Sequence, residues 1–82
     1  MTNEQIEKFI QPYLSTRPVK IDFKTRNSLL GIFIEANDYK ELKAKNFWRI
    51  VTGPNIENWK TSKNQGLAKI FNGSEMTRLN KT

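Results

Sequence analysis

Trp59 lies between Asn58 and Lys60 in a polar stretch that also carries Lys63, where no apolar periodicity demands a large ring. An indole among lysines is the composition that stacks a base and neutralises its phosphate, with stacking worth about 1–3 kcal/mol per base. The same residue fits a loop anchor pinned onto a core equally well. Trp48 beside Arg49 reads as a second stacking face with a phosphate contact, or as a core tryptophan beside an outward arginine. Tryptophan's habit of burial favours the core. Lys43 and Lys45 read as a solvated face, or as a track for phosphates. The nucleic-acid-binding candidates are therefore Lys43, Lys45, Trp48, Arg49, Trp59, Lys60 and Lys63. Tyr39 has a polar tip and can stack on a base, although its position favours capping a core.

Charge points the same way. The 82 residues carry a net charge of +6, all of it in the second half. Residues 1–41 hold six basic and six acidic side chains, whereas residues 42–82 hold eight basic ones against Glu57 and Glu75 alone. A one-sided positive field attracts phosphate backbones and other anionic surfaces. Plain solubility is the competing explanation.

Catalytic chemistry is hard to assemble from this composition. There is no histidine and no cysteine, so the familiar serine and cysteine triads, disulfides and the two commonest zinc ligands are all excluded. A carboxylate pair would have to come from Asp22, Glu35, Asp38 and Glu41. Strand alternation points Asp22 outward, and Asp38 with Glu41 has the form of a helix cap. No glycine-rich phosphate loop or dinucleotide motif is present. The chain reads as a non-enzyme with no cofactor and no metal.

Ile6, Phe9, Ile10, Tyr13 and Leu14 follow helical spacing behind a Thr2–Gln5 capping box, with Pro12 limiting the helix to about residues 3–11. Val19, Ile21 and Phe23 then alternate with Lys20, Asp22 and Lys24 as a half-buried strand. Thr25 to Ser28 is a turn in which Asn27 can take a left-handed conformation. Leu29 to Ala36 is a second strand, with Gly31 marking a bulge, bend or close approach. Residues 37–46 read as a short helical turn through Lys45, or as strand. Phe47 to Val51 is aromatic and β-branched, hence strand. Thr52 to Gly66 reads as a long polar loop. Leu67 to Phe71 and Ser74 to Leu79 read as strands joined at Asn72-Gly73, the strongest hairpin signal in the chain. Asn80 to Thr82 should fray.

This order of features resembles the Sm-like family, in particular its bacterial host-factor branch. The resemblance rests on Val19-Lys20-Ile21-Asp22-Phe23, the turn at Asn27, Leu29-Leu30-Gly31-Ile32-Phe33, and the later Lys69-Ile70-Phe71-Asn72-Gly73-Ser74. It implies an amino-terminal helix, five bent antiparallel strands, RNA binding and assembly into rings. This sequence departs from the family at Asn37, where the family has an aspartate that Asp38 matches if one residue is inserted, at Lys40-Glu41, where a family pair helps hold a base, and at Asn72, where the family has arginine. These changes fall on the family's uridine pocket. The segment Asn46 to Val51 with Phe71-Asn72-Gly73 is also similar to short uncharacterised bacterial proteins.

The expected protein is one domain spanning residues 1–82. It is mainly β, with an amino-terminal helix and a small five-stranded antiparallel SH3-like or Sm-like barrel over about residues 18–79. Its expected role is RNA binding as a homo-oligomer in the cytoplasm, with single-stranded RNA as partner and no membrane. The alternative is a protein-interaction or scaffold module on the same barrel.

Overall fold

The computed structural model describes residues 1–82. Its first element is helix α1, Asn3–Ile10. Both capping-box bonds form: Gln5 N–H donates to the Thr2 hydroxyl at 3.2 Å, and Thr2 N–H donates to Gln5 Oε1 at 3.0 Å. Two of the first turn's free amides are thereby satisfied. Pro12 then falls in a 3₁₀ turn at Gln11–Tyr13, where its missing amide does no harm to α1.

Five antiparallel strands follow: β1 Val19–Phe23, β2 Leu29–Phe33, β3 Phe47–Thr52, β4 Lys69–Asn72 and β5 Met76–Lys81. They form one sheet in the order β4-β3-β2-β1-β5, with β4 and β5 at opposite edges. The sheet is not closed. Two further helices interrupt it: α2, Tyr39–Ala44, between β2 and β3, and α3, Ile56–Ser62, between β3 and β4. The architecture is therefore mixed α and β rather than mainly β.

Two clusters of buried side chains lie on the two faces of the sheet. Strand alternation sends Val19, Ile21, Phe33, Trp48, Ile50 and Leu79 to one face, where they pack with Ile6, Ile10 and Met76. The α1 stripe thus covers a core. The opposite face carries Ile32, Ile34 and Val51 against Ile56 and Trp59 of α3. Gly31 sits at a close approach of β2 to β3: a Cβ there would lie 2.5 Å from Ile50 Cγ2. Of the readings open for this glycine, close approach is the one realised.

Several local expectations are corrected. The polar stretch 52–66 is no open loop, since it enters a 3₁₀ turn at Gly53–Asn55 and then α3. Asn72-Gly73 does not close a hairpin, because β4 pairs with β3 and β5 pairs with β1. Asn72 Oδ1 instead accepts from Ser74 N–H at 2.9 Å, turning the chain into a 3₁₀ turn at Gly73–Glu75. No glycine has positive φ. Gly73 is required by crowding: an added Cβ would collide with Asn46 Oδ1 and Ile6 Cδ1. Asn27 is not left-handed either; Ser15, Asn46 and Lys63 are. Asp38 does precede α2 but makes no side-chain cap bond. Asn80 and Lys81 do not fray, since they complete β5 against Lys20 and Val19.

Candidate functional site

The structure does not gather the residues that the sequence nominated. Trp48 is 2% exposed and Trp59 is 5% exposed, and they belong to different clusters on opposite faces of the sheet. Trp48 packs edge-on against Phe33 and Tyr39, and its indole N–H donates to Asn46 Oδ1 at 2.9 Å. Neither indole offers a free face for stacking, because each is needed to fill a core. Tyr39 likewise caps the core, as its place beside Trp48 requires.

Two of the nominated cations are already engaged. Arg49 donates from Nε and Nη2 to the two carboxylate oxygens of Asp38, at 3.0 and 2.7 Å. That fork draws the Asp38 carboxyl below its usual range and raises the Arg49 guanidinium, the shared hydrogen bond being the largest cause for both. Lys43 pairs with Glu7 of α1. Lys45, Lys60 and Lys63 remain without carboxylate partners, although Lys63 Nζ sits 4.2 Å from the Trp59 ring centroid. Of the carboxylates considered for catalysis, Asp22 accepts from Ser28 Oγ at 2.6 Å and Asp38 holds Arg49.

A different site is built where the β1–β2 turn comes up against β4. There the sheet leaves a groove of about 560 Å³, within the size range of small-ligand pockets. Its apolar wall is Phe23 at the end of β1, Leu29 at the start of β2, and Ile70 and Phe71 on β4. The rings of Phe23 and Phe71 lie 5.9 Å apart and tilted by 37°. Arg26, in the turn between β1 and β2, lays its guanidinium across both, at 5.2 and 5.7 Å from their centroids. Thr25, Thr52, Lys69, Asn72 and Glu75 supply the polar lining.

Folding places each of these for a local reason. Alternation in β1 sends Phe23 to the face occupied by Val19 and Ile21. The β3–β4 register sets Phe71 opposite Trp48, on that same face. Lys24 N–H donates to the Glu75 carbonyl at 2.9 Å, which holds the β4–β5 turn against the end of β1. Glu75, Arg26 and Lys69 form no ion pair with one another, so the groove contains two free cations and one free carboxylate. Half-covered aromatic rings under a guanidinium can stack a flat, electron-rich ligand. Of the groove residues, the sequence reading nominated none, since Phe23 and Phe71 read as ordinary strand residues.

Comparison of the chain with models of protein families, with curated proteins and with solved structures returned no match. No helix is long and apolar enough to cross a membrane.

Proposed function

We propose that this chain is a non-catalytic binding module of SH3-like or Sm-like kind, and that it takes single-stranded RNA in the Phe23–Phe71 groove. The observation that carries the reading is the aromatic pair overlaid by Arg26, with Lys69 beside it. Rings stack bases without regard to sequence, and flanking cations neutralise the linking phosphates. The barrel reading draws support from the strand order and from the contact between Phe23 and Phe71. Their strands are separated by two others in the sheet, so the sheet must curl for the rings to meet. Two open edges, β4 and β5, leave room for self-association of the kind expected of a small domain.

The test is fluorescence anisotropy with a labelled single-stranded RNA at several salt concentrations, with light scattering on the same sample. If Arg26 and Lys69 each meet one phosphate, the logarithm of affinity falls with the logarithm of salt at a slope of about −1.4. Affinity should then drop about 25-fold for a tenfold rise in salt. Arg26 is exposed, so Arg26→Ala should weaken binding and reduce the slope without unfolding the chain. Binding that is absent, or indifferent to salt, overturns the reading. The runner-up is a protein-interaction module, favoured by Ile70, an apolar residue 51% exposed on an edge strand. That alternative predicts no RNA binding, and no loss of activity when the groove cations Arg26 and Lys69 are neutralised together.

A further inference from the structure

We infer that the groove selects guanine, with Glu75 reading the edge of the base while Phe23 and Phe71 hold its face; this rests on the RNA reading above. Asn72 Oδ1 already accepts from both Ser74 N–H and Ser74 Oγ, at 2.9 and 2.8 Å. The Glu75 carboxylate has neither an ion-pair partner nor a hydrogen-bond donor within the chain, and Glu75 is exposed. It is the one ionised acceptor lining a groove whose other charges are Arg26 and Lys69.

A carboxylate offers two oxygens side by side and donates nothing. Its best partner on a base is a pair of adjacent N–H groups. Guanine alone among the four standard bases presents such a pair on its Watson–Crick edge, at N1 and at the exocyclic N2. Uracil flanks its single N–H with carbonyl oxygens, while cytosine and adenine place a ring nitrogen acceptor beside their amino group. Those acceptors would face the negative carboxylate and be repelled by it. Glu75 also disfavours phosphate at its own position, leaving Arg26 and Lys69 to take the backbone. Stacking thus supplies affinity for any base, and the carboxylate supplies the choice among them.

The experiment uses the full chain with labelled RNA hexamers, one of uridine only and one with a single central guanosine. Guanosine 5′-monophosphate serves as an unlabelled competitor. The guanosine oligomer should bind about tenfold to a hundredfold tighter, the range of a good bidentate base contact. Replacing that guanosine by inosine removes the N2 donor and should lose much of the gain. Glu75→Gln keeps one acceptor and removes the charge, so it should abolish the preference for guanosine over uridine. Equal affinity for the two hexamers overturns the guanine assignment and leaves the RNA reading standing. Binding of the mononucleotide without any oligomer binding keeps the guanine site and overturns the RNA reading. The hexamer comparison needs no variant, so misfolding of Glu75→Gln cannot shield the assignment.

Discussion

Removing the Trp59 side chain separates a structural role from a ligand-binding one at the residue where the sequence leaves both open. Trp59 is 5% exposed and packs with Ile32, Ile34, Val51 and Ile56, the smaller of the two clusters. Truncating a buried tryptophan to alanine costs about 3–5 kcal/mol, because transfer free energy and cavity formation add. A domain of 82 residues has about 4–12 kcal/mol of stability in total. Trp59→Ala should therefore lower the melting midpoint by about 12–40 °C, at the limit of folding. The indole N–H is buried with no acceptor, and a buried donor left unpaired costs about 1–3 kcal/mol. Trp59→Phe loses some packing but also loses that unpaired donor. It should lie within about 1 kcal/mol of the parent, the two effects nearly offsetting. Urea unfolding followed by far-UV circular dichroism measures both variants. Trp59→Phe should bind RNA as the parent does. An alanine variant destabilised by under about 1 kcal/mol that has nonetheless lost RNA binding would place the indole outside the core and refute this account.

Gly31→Ala drives a methyl to within 2.5 Å of Ile50 Cγ2. Ile50 is fully buried and β-branched, so the clash should cost about 1–3 kcal/mol in urea unfolding. Gly53→Ala, where an added Cβ meets nothing within 4 Å, is the control and should stay within about 0.5 kcal/mol; equal effects at the two positions would contradict the close approach. Tyr39 has its hydroxyl pushed up from 10.0 to about 12, first by burial and then by Glu7 and Glu35. The folded chain thus holds this proton more tightly than the unfolded one. That stability is fully present below about pH 10 and is lost as pH rises through about 12. Subtracting the absorbance titration of Tyr39→Phe from that of the parent should give a midpoint near 12 for Tyr39, and a midpoint at 10 would remove the burial assigned to it.

Local signals were legible where the sequence alone determines the outcome. Thr2, Gln5 and Pro12 bound α1 through contacts only a few residues long. Alternation in β1 and the apolar run of β2 likewise need no partner to be read. Helix α3 was hidden because only Ile56 and Trp59 of its seven residues are buried, too few to mark a stripe. The available cue was their spacing of three, with Glu57 in the first turn and Lys60 in the last. Asn72-Gly73 misled for the opposite reason. Its local preference for a hairpin is outweighed by the pairing of β5 with β1, a partner far away in the chain. The groove was illegible on the same ground, because it depends on how far the sheet curls, and single-strand patterns do not encode curl.

Why a groove opens at this point follows from the allocation of covering elements. One sheet separates two clusters, with α1 assigned to the first and α3 to the second. The third helix, α2, joins α1 on the first face through Tyr39, and none of the three lines the end of that face, where Phe23 and Phe71 emerge between the β1–β2 turn and β4. Arg26 lies over those rings. A cation over an exposed ring is worth about 0.5–1 kcal/mol, whereas a stacked base is worth about 1–3 kcal/mol. A base could therefore displace the guanidinium, or stack upon it, with a net gain in either case. Had an aliphatic residue stood at position 26, it would have covered the rings without offering charge to a phosphate. Because Arg26 belongs to an exposed turn and makes no ion pair, its removal should cost no more than about 1 kcal/mol of stability while weakening the groove's hold on an anionic ligand. Stability and binding are separable at this one residue.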